Sequence, residues 1–379
     1  MTLQFRFAVI SDPHIALPET IWDHPNRFHL VEVSIPAIES IFAHLNQLDL
    51  DFLLLPGDLT QHGEPENHTW LAQRLAQLPY PAYVIPGNHD VVTREASDRS
   101  IGLMDFPQYY QKFGYQDGVD PYYTCSILPG LRLIGLNSNG FDAEGNQLRS
   151  GYLDSRQLAW LQQILADASE ETILVMLHHN VLEHLPGQQQ SPLGSRYMLQ
   201  NNAELLAILR QAGVELLFTG HLHVQDVAYT HGLHEITRLY EITTGSLVSY
   251  PHPYRILELH QDRQGHRWLR MESHWIQQVP GWNNLQHYSR QWMGDRSISF
   301  IVKLLTQSPL ALLPEEALEI APDLRDFWAD IAYGDQQFHF PHLPQRVQRF
   351  LSGFSAVDAQ GAPQTIDNAA VLSLTAKLV

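Results

Sequence analysis

The sequence predicts a layered α/β fold that ends in a mostly helical segment. Short apolar runs alternate with helical periodicity over the first two-thirds of the chain, a polar cluster follows nearly every apolar run, and the text turns aromatic-rich and helical near residue 275. The stretch 5–10 reads as a strand, and 31–45 reads as a helix because Ile38, Ile41, Phe42 and Leu45 recur at three- and four-residue steps. A strand over 52–55, a helix over 67–77 and a strand over 82–85 complete a βαβα rhythm. After a loop-rich stretch over 99–121, strands over 122–128 and 131–136 flank the Pro129-Gly130 turn and begin a second sheet. A helix over 155–166 with Ser155 as N-cap, a strand over 172–177, a helix over 203–212 closed by Gly213 and a strand over 216–219 follow. The stretch 224–259 reads as a strand meander. Helices over 297–305, 314–320, 322–332 and 345–351 make the segment 276–379 mostly helical, with Pro314-Glu315-Glu316 as a helix-start signal.

Composition narrows the function. The chain has 379 residues, enough for a large domain, 1–275, plus the C-terminal extension. A single cysteine, Cys125, rules out an internal disulfide framework and points to a reducing compartment, the cytoplasm. The amino terminus matches neither a signal peptide nor a membrane span. With 23 basic against 41 acidic residues, the formal charge of −18 repels polyanions, so a nucleic-acid polymer is not an expected partner. Only three basic residues are lysine, and 21 residues are histidine, the commonest metal ligand.

Five loops collect the oxygen and nitrogen donors: Ser11-Asp12-Pro13-His14, Gly57-Asp58-Leu59-Thr60, Gly87-Asn88-His89-Asp90, His178-His179-Asn180 and Gly220-His221-Leu222-His223. Taken singly, each is an ordinary turn, cap or helix-start loop. Together, behind apolar strands, they would converge mixed ligands on one sheet edge, where two divalent cations could be held.

In this order the five clusters resemble the calcineurin-like metallophosphoesterase superfamily, over roughly residues 4 to 260. The resemblance implies a four-layer αββα sandwich of two mixed sheets with a dinuclear metal centre at one edge. Position by position, Asp12, His14 and His223 would bind one metal, Asn88, His178 and His221 the other, and Asp58 would bridge them. His178 is favoured as ligand over His179. His89 would be the non-ligating imidazole that contacts phosphate or protonates the leaving group, with Asp90 either orienting it or capping a following helix. Manganese or iron is favoured, and zinc or cobalt could serve the same donor set. Two such metals, about 3.5–4 Å apart, can polarise a phosphoryl group and supply a bridging hydroxide for in-line attack.

Within the superfamily, Gly57-Asp58-Leu59-Thr60-Gln61 lacks the Asp-Arg of serine/threonine phosphatases and has Gln61 where purple acid phosphatases carry a tyrosine. The segments 80–90 and 151–161 look like the Icc-type class III cyclic nucleotide phosphodiesterases and related glycerophosphodiesterases, so the resemblance implies a small phosphodiester substrate. A phosphomonoesterase or nucleotidase on the same site and a non-catalytic metal-binding scaffold are the alternatives. Departures from the pattern are Asn180, where proline usually follows the histidine pair, Asn137 before Ser138, and about a hundred extra C-terminal residues. Candidate substrate contacts are His24, Arg27, His62, Arg94 and His179, with His184 or Arg196 in the loop 180–202. The extension 276–379 carries aromatics at packing spacings and is the candidate surface for a homo-oligomer or the wall of the site mouth.

Overall fold

The computed structural model describes residues 4–22, 24, 27–116, 118–168, 171–231 and 238–374. In chain order, β1 (Gln4–Val9), α1 (Ser34–Leu45), β2 (Phe52–Leu55), α2 (Pro65–Leu75) and β3 (Ala82–Val84) lead to the short α3 (Phe106–Tyr109). Then come β4 (Tyr123–Leu128), β5 (Leu131–Gly135), α4 (Ser155–Asp167), β6 (Thr172–Met176), α5 (Asn202–Gln211), β7 (Leu216–Thr219), β8 (Asp226–His231) and β9 (Arg238–Thr243). The chain continues through β10 (Pro253–Gln261), β11 (Arg267–Trp275), α6 (Leu285–Thr306), α7 (Pro314–Ile320), α8 (Phe327–Tyr333), α9 (Gln345–Ser352) and β12 (Ala369–Leu374). Two mixed six-stranded sheets result, ordered β12-β11-β10-β1-β2-β3 and β4-β5-β6-β7-β9-β8. No helix among the described residues is long and apolar enough to cross a membrane.

Strand alternation sorts the core. In the second sheet Leu174, Met176, Leu216 and Phe218 fall in the cluster that also holds Phe7 and Phe52 of the first sheet. Phe218 meets Phe7 edge-on with centroids 5.6 Å apart, so these faces look inward. Their neighbours Ile173, Val175, Leu177 and Leu217 pack instead with Leu158, Leu161, Leu205 and Leu209 of α4 and α5. One period-two pattern therefore serves a sheet–sheet interface and a sheet–helix interface, which is the layered sandwich that the sequence predicts.

Several boundaries differ from the sequence reading for local reasons. A tight turn over Val31–Val33 precedes α1, whose first turn contains Pro36. The N-cap of α4 is Asp154, not Ser155: its carboxylate accepts from Gln157 N at 2.8 Å. The meander expected over 224–259 splits between sheets, since β8 and β9 stay in the second while β10 crosses back to pair antiparallel with β1; its residues 232–237 lie outside the described ones. The helix expected over 297–305 is the second half of the 22-residue α6.

The C-terminal segment is helical through α9, and its last strand, β12, adds antiparallel to β11. Its helices enclose a separate cluster around Met293, Ile301, Phe327 and Val347, into which Leu222, Val224 and Tyr250 of the sandwich insert. Arg255 on β10 ties the parts together. Fully buried, it donates through Nη1 to the Asp367 carbonyl (2.8 Å) and Ser273 Oγ (3.0 Å), and through Nη2 to the Thr243 carbonyl (2.9 Å). Burial pushes its guanidinium down to about 10. Arg255→Ala orphans two buried carbonyls and opens a cavity, so urea denaturation should report a loss of about 3–5 kcal/mol.

Candidate metal centre

Because β1 and β2 are parallel neighbours, their carboxyl ends deliver Asp12 and Asp58 side by side. The two loops pair like a continuation of the ladder: Asp12 N donates to Gly57 O (3.2 Å), His14 N to Asp58 O (3.0 Å) and Ile15 N to Leu59 O (2.8 Å). Asp12, His14, Asp58, His221 and His223 all have left-handed backbone, with φ between 39° and 66°. Such conformations are costly for side chains of this kind and concentrate at functional sites. Two glycines are demanded by close approach. A Cβ on Gly87 would stand 2.2 Å from Asp58 Oδ1, and one on Gly220 would stand 2.4 Å from Asp12 Oδ2.

The donor atoms of Asp12, His14, Asp58 and His223 lie within 4.8 Å of one another, as do those of Asp58, His178 and His221. Asp58 is common to both groups, as a bridging carboxylate must be. Asn88 Oδ1 joins the second group at 3.2 Å from His178 Nε2. His178 Nε2 is also 3.2 Å from Asp58 Oδ2, while its Nδ1 donates to Pro56 O at 2.8 Å. That carbonyl can only accept, so Nδ1 carries a proton and Nε2 is the nitrogen that faces the carboxylates.

Both carboxylates are buried, and among the described residues neither pairs with an arginine or lysine. Burial alone would raise the Asp58 carboxyl; His178, His89 and His14 hold it well below the ordinary carboxylate range. Burial likewise opposes charge on His178, but Asp58 overrides it and lifts the imidazole to about 9. His14 and His221 are driven well below the usual imidazole value, chiefly by burial, and so are neutral donors. Both ring nitrogens of His14 are buried with no hydrogen-bond partner. The neutral imidazoles of His14 and His221 beside buried carboxylates that no arginine or lysine meets among the described residues, with both His14 nitrogens orphaned, fit divalent cations.

The calcineurin-like phosphoesterase family model matches residues 5–225. The chain belongs to the calcineurin-like phosphoesterases. It is 28% identical over 238 residues to a 3',5'-cyclic-nucleotide phosphodiesterase of Nostoc sp., covering 61% of this chain and 76% of that one. It is 27% identical over 260 residues to the glycerophosphodiester phosphodiesterase GpdQ of Enterobacter lignolyticus, covering 66% and 81%. A dimetal phosphatase from Danio rerio shares the fold, with a TM-score of 0.50 at 16% identity over 71% of this chain and 95% of that one. Calcineurin-like phosphoesterases are metal-dependent phosphoester hydrolases with dinuclear divalent-metal centres.

In this calcineurin-like phosphoesterase the metal groups face a cavity of about 1020 Å³ lined by His24, Arg27, His62, Asn88 and His89, among others. His89 Nδ1 donates to Gln61 O at 2.7 Å, and its ring stacks on His62 at 5.0 Å. Asp90 neither orients His89 nor caps a helix. Its carboxylate accepts from the backbone N–H groups of Leu59 (3.0 Å), Thr60 (2.8 Å) and Gly87 (2.8 Å), clamping the Asp58 loop to the Asn88 loop. Arg94 is exposed and absent from the cavity wall, because the chain turns away where Thr93 bridges to Gly102 and Asn146. His179 is buried, bonds Ser138 Oγ at 2.8 Å and packs against the His221 ring at 4.4 Å, so it supports a candidate ligand and does not reach the cavity. The His184 side chain is also buried, between Asp226 (2.5 Å) and Glu241 (3.2 Å).

Glu241 accepts from Val181 N (3.0 Å) and Thr219 Oγ1 (2.9 Å), and Asn180 reaches it at 3.3 Å, which accounts for an amide where the family pattern has proline. Sequence reasoning missed His29, whose ring lies 4.1 Å from His14 and whose nitrogen completes a further group with His14 and His223. It missed Gln147 too, which donates to Asn88 O at 2.8 Å. Neither carries a local motif.

Loaded protein should contain about two divalent ions per chain, and Asp58→Asn should lose most of both by elemental analysis, because the bridge serves each group. Burial opposes charge on His184, but Glu241 and Asp226 raise it to about 9, so its stabilisation is complete below the unfolded value and fades as pH rises through 9. Thermal melts should accordingly show His184→Gln least stable relative to wild type near pH 6 to 7, with the gap narrowing towards pH 10.

Proposed function

We propose that the protein is a phosphodiesterase that hydrolyses a small phosphodiester of the cyclic-nucleotide or glycerophosphodiester kind. The observation that carries this reading is Asp58, shared by two donor groups on the floor of a cavity of about 1020 Å³ whose wall holds His89. The two curated relatives, named for these two diester classes, support it. Asp12, His14 and His223 would hold one ion, Asn88, His178 and His221 the other, and Asp58 both. Manganese or iron suits this mix of carboxylate, amide and imidazole. The half-buried Cys125 suits a reducing compartment, and we assign the protein to the cytoplasm.

Bound there, the ions would supply Lewis acidity towards the phosphoryl oxygens and lower the pKa of water. The chain's own residues do the rest. The Asp90 clamp fixes the spacing between the Asp58 and Asn88 loops. Because the Gln61 carbonyl fixes one proton on His89 Nδ1, the nitrogen left for substrate is Nε2. When protonated, Nε2 can donate to the ester oxygen that departs, which is general-acid catalysis.

Two substrates test that role. On a diester with an alkyl leaving group, His89→Ala should lower kcat about 10²–10⁴-fold. On bis(p-nitrophenyl) phosphate, whose leaving group departs without a proton, the loss should be much smaller; equal losses would make His89 a phosphate contact only. Monoesters turned over faster than every diester in a panel would overturn the diesterase reading.

A further inference from the structure

The cavity is larger and more cationic than a small diester requires. At about 1020 Å³ it stands at the upper end of small-molecule sites. The chain carries nearly two acidic residues for every basic one, yet the described lining contains a single carboxylate, Asp58, against Arg27, Arg149, Arg196 and Lys303. Arg27 is committed to Glu32 at 2.5 Å. The other three come from three separate segments: the loop before α4, the loop before α5, and α6. All three are exposed, and among the described residues neither Arg149 nor Lys303 makes an ion pair. Lys303 is one of only three lysines in the chain. Beside it, the half-buried Phe300 and the largely buried Trp328 line the same cavity with ring centroids 5.0 Å apart, offering a small aromatic surface.

Resting on the phosphodiesterase reading, we propose that the C-terminal helices build a distal subsite, so that the preferred substrate is a diester bearing a planar ring and a second anionic group. The ring packs on Phe300 and Trp328. Lys303, with Arg149 and Arg196 across the mouth, receives the second anion, as a phosphate beyond the scissile diester would be received. Acids there would repel such a group, and beside Lys303, Arg149 and Arg196 the described lining holds none but Asp58 of the metal groups.

Thymidylyl-thymidine and its 5'-phosphorylated form share one diester bond and differ by the terminal phosphate. Wild type should prefer the phosphorylated form, mostly through KM. In Lys303→Ala the ratio of the two kcat/KM values should fall about fivefold, the scale of one exposed ion pair. Lys303→Arg should preserve the ratio, and Lys112→Ala, on an exposed surface away from the cavity, should leave both rates unchanged. No preference in wild type, or a ratio unmoved in Lys303→Ala, overturns the subsite. Calorimetric titration of the same two compounds into His89→Ala protein, with and without Lys303→Ala, reads the subsite independently of turnover. Should wild type cleave neither compound nor any other diester, the phosphodiesterase reading fails; tighter, Lys303-dependent binding of the phosphorylated form would still uphold the subsite, and equal binding would remove it.

Discussion

Two buried carboxylates with no ammonium or guanidinium beside them among the described residues, Asp12 and Asp58, constrain everything around the site. An unpaired buried charge costs several kcal/mol, so the fold surrounds each with backbone, hydroxyl and imidazole donors. Asp12 accepts from His221 N at 3.1 Å and from Ser11 Oγ; Asp58 accepts from His89 N at 2.7 Å. Bringing those groups so close forces left-handed backbone at five of the donor residues and excludes side chains at Gly87 and Gly220. Each such residue costs on the order of 1 kcal/mol or more. The strain persists because the apolar strands that precede the loops are locked on both faces.

Topology explains why such distant residues meet. Asp12 and His221 are 209 residues apart, yet the His221 amide lies on the Asp12 carboxylate. In each sheet the parallel strands point their carboxyl ends towards the same edge, so the loops after β1, β2 and β3 face those after β6 and β7. Each loop delivers one or two donors. No single loop could supply a bridging carboxylate and three further ligands per ion without filling the space that substrate needs, and five loops leave that space open.

This division also sets how far the sequence could be read. Strand-then-donor text is local, and Phe5 to Ile10 followed by Asp12 and His14 is visible without a structure. The choice between His178 and His179 was legible only through family resemblance, and in the fold it follows from which ring points at Asp58 and which at Ser138. Asp90 was misread because its partners, Leu59 and Thr60, lie about thirty residues upstream, and no spacing rule reports a carboxylate spent on another loop's backbone. His29 and Gln147 were invisible for the same reason. The β12 strand was missed because an edge strand gains its identity from its neighbour, here β11.

The C-terminal helices share structure with the metal loop. Leu222 sits between His221 and His223, and its side chain is buried in the helical cluster with Met293 and Trp328. Trp292 of α6 donates through Nε1 to Phe28 O at 3.1 Å, fixing the backbone that leads into His29. The loop that presents two imidazoles is thus held from below by Asp12 and from the side by α6 and α8. Packing of those helices restrains residues 221–223 in the conformation that brings the donor atoms of His221 and His223 to the two candidate groups. A helical segment with no donor in either group thereby fixes, through one leucine, the backbone that carries two of the candidate metal donors.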